Sequence, residues 1–318
     1  MSLFFGLTST HVKIGTSGGP VSGAHRYWGV RVNATQGDPT AQIQNIEMAT
    51  SHFGPNILPV DGTGAGATSV SSGFPAQYAL TSFEQTGHDP WASQSGATSP
   101  IWFYDFGAGN DKLIKRVTML GRGSFIAQNP KDFDVVYSDD GSYWSTAWTI
   151  TGADTNKTFY VGHYFAPGMP SYSGSPWGSH THWRLVCLES TVPAIAELEY
   201  HSTVGGANQA TGGTASASTV YGGFLPAENA FDGNPSTMWS SSTSNIEWLQ
   251  FQKSGGFSVA EFKLTARNDS YPFTTPNKMV LRFSDDGSQF TTMLNPPDTV
   301  GASWASGESR TFIDPYYV

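Results

Sequence analysis

The sequence predicts an all-β chain folded as two β-sandwiches in tandem. Three observations carry this. Aromatic residues (14%) outnumber charged ones (13%), and 36 Gly and 19 Pro punctuate the chain. Such a composition suits neither a helical bundle nor a disordered chain. Apolar runs of strand length alternate between turn signals, and helical periodicity is nearly absent, with single turns only around 76–83 and 227–231. The second half of the chain also repeats the first, block by block.

In chain order, Tyr27-Trp28 matches His182-Trp183, and Ile46-Glu47-Met48 matches Leu198-Glu199-Tyr200. Pro75-Ala76-Gln77-Tyr78-Ala79-Leu80 matches Pro226-Ala227-Glu228-Asn229-Ala230-Phe231, and Trp91-Ala92-Ser93 matches Trp239-Ser240-Ser241. Ile101 to Phe106 matches Trp248 to Lys253. Val117 to Arg122 matches Phe262 to Arg267, each a strand ending in Arg. A Pro then opens an alternating run in both copies (Pro130, Pro276), and the run ends in Ser138-Asp139-Asp140-Gly141-Ser142 or, 146 residues later, Ser284-Asp285-Asp286-Gly287-Ser288. An alternating run, an Asp-Gly corner and a following aromatic read as a β-hairpin. The expected organisation is an arm over 1–23, outside the repeat, then a first sandwich over 24–164. A Pro/Gly/Ser-rich linker over 165–180 leads to a second sandwich over 181–318.

With 16 basic against 25 acidic residues the net charge is −9, which disfavours a nucleic-acid partner. No apolar stretch is long enough for a membrane helix, so no membrane insertion is expected. The first residues lack the basic leader and cleavage site of a secretory signal. Cys187 is the single cysteine, so no internal disulfide forms, and its place in a strand-like run predicts a buried thiol.

The carboxylate pairs Asp139-Asp140 and Asp285-Asp286 resemble acid–base pairs only superficially. Neighbouring residues in a hairpin corner point different ways, and Asp there supports the turn. His180 and His182 share a strand face, with no third metal ligand nearby. No hydrolase, Walker or dinucleotide motif is present, and an enzyme is not expected. The loop Asp232-Gly233-Asn234-Pro235-Ser236-Thr237 offers the oxygen-rich corner a calcium ion needs; Asp232 either ligates such an ion or caps the turn. Arg267, Asn268 and Tyr271 leave a strand together and combine a fork donor, an amide and an amphipathic ring, a set suited to a sugar. Arg122 and Phe125 (with Ser124) hold the corresponding place in the first copy. The alternative for both Arg residues is bracing of their own loops.

The second copy carries Ala227 to Gly233, Trp239-Ser240-Ser241, Trp248-Leu249-Gln250-Phe251 and Phe283 to Gly287, together with Trp183-Arg184-Leu185 and Ala196 to Glu199. These resemble the discoidin family, also called coagulation factor 5/8 type C domains, whose fold recurs in carbohydrate-binding modules and in bacteriophage tail and fibre proteins. The resemblance implies an eight-stranded jelly roll with ligand loops at one end of the sandwich. It also adds Glu197 to Asp232 and Thr237 as a structural calcium set in the second domain. In the first copy Thr81 and Asn45 stand where Asp232 and Glu197 would be, so that copy is expected to be calcium-free. The strand pair that usually closes such a domain here opens each copy, which implies a circular permutation.

Two functions follow as expectations. The first is a non-catalytic adhesion or receptor-binding protein of a phage virion, recognising host surface glycan and displayed as a homo-oligomer or in many copies. The second is a structural virion component (tail, baseplate or head decoration) docking through its sandwiches. In either, the arm with Phe4, Phe5 and Leu7 would contact other virion proteins.

Overall fold

Alternation of buried and exposed side chains sets the strands. In Tyr27–Thr35, Trp28, Val30 and Val32 are buried while Tyr27 and Arg31 are only partly covered, the pattern of a sheet with one face in a core. The computed structural model describes residues 12–15, 21, 23–81, 89–121, 125–153, 161–170, 174–188, 192–294 and 303–317. The chain divides into two compact units, Met1–Pro170 and Ser171–Val318.

The first unit contains β1 (Val12–Ile14), β2 (Tyr27–Thr35), β3 (Gln42–Ile43), β4 (Asn45–Ala49), β5 (Ala65–Ala67), β6 (Trp91–Ala92), β7 (Ile101–Asp105), β8 (Arg116–Leu120), β9 (Pro130–Ser138), β10 (Ser145–Ile150) and β11 (Val161–Phe165). The second contains β12 (His180–Cys187), β13 (Ala194–Ile195), β14 (Glu197–His201), β15 (Thr214–Ala217), β16 (Trp239–Ser240), β17 (Glu247–Phe257), β18 (Glu261–Thr265), β19 (Met279–Ser284), β20 (Thr291–Leu294) and β21 (Ser309–Ile313). Among the described residues the longest helical segment is the five-residue 3-10 turn Ala76–Leu80.

The two units share one strand order. A five-stranded sheet runs β10-β9-β2-β7-β5 in the first and β20-β19-β12-β17-β15 in the second. The opposing sheets run β11-β8-β4 and β21-β18-β14, and two-stranded ribbons join β3 to β6 and β13 to β16. The protein is thus all-β, built of antiparallel β-sandwiches. The opening strand lies at the centre of its own large sheet, β2 between β7 and β9 and β12 between β17 and β19. The strands before Met48 therefore complete the first unit itself.

Each core is organised on a tryptophan from that central strand. Trp28 and Trp183 are fully buried, and their indole N–H groups donate to the Lys112 and Phe257 carbonyls at 2.8 and 2.9 Å. Burial of the ring with its one polar atom satisfied is the arrangement that makes a Trp favourable in a core. Replacing either by Ala costs about 3–5 kcal/mol. Trp91 and Trp239 are also fully buried, bonded to the Ser69 and Thr219 carbonyls, and so present no ligand platform. Cys187 is a buried free thiol.

Both Asp-Asp-Gly corners form tight turns. Asp286 Oδ1 accepts the Ser288 and Gln289 N–H groups at 2.8 and 2.9 Å and the Ser284 hydroxyl at 2.9 Å. Asp140 makes the same three bonds to Ser142, Tyr143 and Ser138. Gly141 and Gly287 lie at φ 73° and 72°, a region that penalises any Cβ. The neighbouring Asp139 and Asp285 reach His25 and His180 instead. His180 also bonds the Trp177 carbonyl at 2.8 Å, so both its ring nitrogens are engaged within the protein.

Part of the 1–23 segment joins the first unit: β1 pairs in parallel with β11, Val12 opposite His163 and Ile14 opposite Phe165. An exposed strand edge leaves backbone N–H and C=O groups without partners, and β1 covers that edge. Phe4, Phe5 and Leu7 lie outside the described residues. The 165–180 linker is shorter than its composition suggests, because Phe165 ends β11 and His180 begins β12.

Candidate functional site

Strand register gathers the long loops of the second unit at one end. Cys187 lies opposite both Glu247 and Met279, so the segments 218–246 and 266–278, which lead into β17 and β19, leave from the same end of the large sheet. In the small sheet Glu197 lies opposite Thr265, and Thr265 opposite Ser309.

The 232–237 segment is folded by its own side chains. Asp232 Oδ1 accepts the Asn234 N–H at 2.8 Å, and Asp232 Oδ2 accepts the Thr237 hydroxyl at 2.8 Å. Gly233, at φ 76°, supplies the left-handed step. Glu197 faces this loop from β14. It is only 6% exposed, and its Oε1 has no hydrogen-bond partner. Burial, followed by the facing Asp232 carboxylate, pushes the Glu197 carboxyl up to about 7. The fold thus brings the three expected residues Asp232, Thr237 and Glu197 together. Two facing carboxylates, one buried with an orphaned oxygen, fit a hard cation between them. Among the described residues no group of three or more His, Cys, Asp or Glu is placed to hold a metal, so hydroxyl and carbonyl oxygens would complete such a shell.

The 267–274 loop shows why an arginine ends β18. Arg267 donates through Nε to Asp269 Oδ1 at 2.7 Å and through Nη2 to Asp269 Oδ2 at 2.5 Å. Nη1 reaches the Thr274 hydroxyl at 3.4 Å, and the guanidinium lies 5.3 Å from the Tyr271 ring centre. The pair holds the Asp269 carboxyl below the usual carboxylate range. Arg267 therefore braces its own loop, the alternative weighed for it in the sequence. Asn268 is exposed, and its Oδ1 accepts the Ser306 hydroxyl at 3.1 Å. Tyr271 is 55% and Phe273 60% exposed, with ring centres 5.8 Å apart, edge to face.

Phe273 escaped the sequence reading. The Tyr-Pro-Phe order was its one signal, since Pro272 opens the 3-10 turn that carries both rings outward. Tyr221 and Phe224, also exposed, were missed as well. Their segment is pinned by buried Glu247, which accepts hydroxyls from Ser218, Thr219 and Thr243. In the first unit Arg122 and Ser124 lie outside the described residues, while Phe125 is half exposed beside the 3-10 turn Ile126–Gln128.

Residues 214–315 match the family of the F5/8 type C domain. The match starts at β15 and runs through β21, so it covers most of the second unit and leaves β12 to β14 outside. Domains of this family are carbohydrate- or protein-binding modules rather than catalysts. No curated protein and no solved structure matches the chain.

Proposed function

We propose that the protein is a non-catalytic adhesin of a phage virion, made of tandem discoidin-like sandwiches, in which loops of the second unit recognise host surface glycan. The observation that carries this is the Tyr271–Phe273 pair. Two aromatic rings stand in solvent on a loop held by a two-pronged Arg–carboxylate pair, so an apolar platform is ordered before any ligand arrives. Exposed aromatic faces beside polar groups such as Asn268 suit a partly solvated sugar. A weak site becomes effective when many copies share one particle.

Calcium belongs to the same reading. Asp232, Thr237 and Glu197 would hold the ion, which supplies positive charge between two facing carboxylates and fixes the 232–237 loop beside the ligand end. It is structural, and no binding step passes through it.

A docking role as a structural virion component has one observation on its side. Among the described residues β21 has no neighbour beyond β18, whereas its counterpart β11 carries β1. An open strand edge accepts an extended segment of another protein.

The test is a glycan array and a host-cell binding assay with the isolated chain and its Tyr271→Ala/Phe273→Ala variant. Binding by the parent that the variant loses, at unchanged melting temperature, supports the adhesin. No binding by the parent, with failed particle assembly when the gene is deleted, favours the docking role.

A further inference from the structure

We propose that the outer face of the β14-β18-β21 sheet holds a second binding cleft, one that takes a neutral sugar ring. This deepens the reading of the second unit as a saccharide binder and rests on it. A cleft of about 420 Å³ lies along this face, lined by Gly233, Pro235 and Gly307 as well as by strand residues. The volume falls within the range of about 300–1,000 Å³ usual for small-molecule sites.

Strand alternation makes the floor polar. Leu198, Tyr200, Phe262 and Leu264 are fully buried in the core, so Glu197, Glu199, Lys263, Thr265 and Ser309 face the other way into the cleft. Two fixed pairs make up this floor. Lys263 Nζ donates to Glu199 Oε1 at 2.7 Å, and the Thr265 and Ser309 hydroxyls share a hydrogen bond of 2.8 Å. Glu199 is further oriented by His201, 3.4 Å from its Oε2. Asn208 also lines the cleft, with its Oδ1 already held by the Tyr200 and Ala210 N–H groups.

A cationic donor, a carboxylate acceptor and two hydroxyls able to play either part match a row of ring hydroxyls, each of which donates and accepts at once. Charge then selects among sugars. Lys263 and Glu199 cancel, so the floor keeps no unspent positive charge to hold an acidic sugar. Pro235 gives the ring a small apolar edge to rest on.

The experiment is saturation-transfer NMR with calorimetry on the full chain, using galactose and N-acetylglucosamine as neutral probes and galacturonate as the acidic one. The expected result is that at least one neutral probe binds and galacturonate binds about tenfold more weakly or not at all. Glu199→Gln and Ser309→Ala should each weaken the neutral probe by about threefold to tenfold. Ser309 is exposed, so its variant keeps the fold even if Glu199→Gln does not. Neutral binding untouched by both variants but lost in Tyr271→Ala/Phe273→Ala would overturn the cleft and leave the adhesin reading standing. Equal binding of galacturonate would overturn the charge argument and the cleft with it. Absence of any sugar binding would overturn both readings.

Discussion

The side-chain amide of Asn45 donates to the Thr81 carbonyl at 2.9 Å and reaches the Ala79 carbonyl at 3.4 Å. In the repeat, Asn45 stands where Glu197 does, and Thr81 where Asp232 does. The first unit thus places N–H groups between carbonyls at the position where the second unit has two carboxylates facing one another. An amide donor does there what a cation would do, and it does so permanently. Asn45 is buried, so Asn45→Ala should leave two carbonyls unsatisfied and destabilise the first unit by about 1–3 kcal/mol in denaturant unfolding. A loss under about 0.5 kcal/mol would show that the amide bridges nothing of consequence.

The second unit should respond to calcium and the first should not. Millimolar calcium raises the melting temperature of the second unit, because the ion binds only the native site. Asp232→Ala or Glu197→Gln removes that rise. A transition that ignores both calcium and chelator would reduce the 232–237 loop to a self-capped turn.

The pH dependence of that response follows from Glu197. Its folded value of about 7 lies above its ordinary one, so without calcium its contribution is fully present below about pH 4.5 and is lost as pH rises towards 7. Calcium needs the ionised form, so its affinity should fall about tenfold between pH 8 and pH 6. Titration calorimetry at the two pH values checks this, with proton release on binding near pH 6 as the second readout.

Asp314 offers a control without a cation. It is buried, its Oδ2 has no partner, and desolvation raises its carboxyl to about 7. Ionising it in the folded state costs stability as pH climbs from about 4 to 7. Asp314→Asn should therefore raise the melting temperature at pH 8 and change it little at pH 4, whether or not calcium is present. Equal effects at both pH values would mean the variant acts through packing.

What the sequence made legible was local or repeated. The Asp-Gly corners encode their own turns within five residues, and the paired tryptophans of β2 and β12 stood out because the chain states them twice. The grouping of Asp232, Thr237 and Glu197 was reached only through the family resemblance, since no spacing along the chain links Glu197 to a loop 35 residues away. Exposure was the illegible quantity. Nothing in the composition separates Tyr271 and Phe273, which stand in solvent, from Tyr200 and Phe262, which are wholly buried. Strand register and the 3-10 turn decide that. The role of Arg267 was illegible for a different reason. Asp269 lies two residues on, but whether such a neighbour meets the guanidinium depends on the path of the loop.

The Arg267–Asp269 pair therefore yields a prediction that separates bracing from direct contact with ligand. If Arg267 only holds the loop, Asp269→Asn should impair it as Arg267→Ala does, because each change leaves one charged partner without its mate. Arg267 is mostly covered and Asp269 about one-third exposed, so the loss of global stability should be modest, about 1 kcal/mol. Hydrogen exchange should show faster opening of the Tyr271 and Thr274 amides in both variants. Host-cell binding should fall by a similar factor in the two. A double-mutant cycle should then show strong coupling, with the double variant hardly worse than either single one. Loss of binding in Arg267→Ala alone, with Asp269→Asn unaffected and the loop amides still protected, would instead put the guanidinium on the ligand.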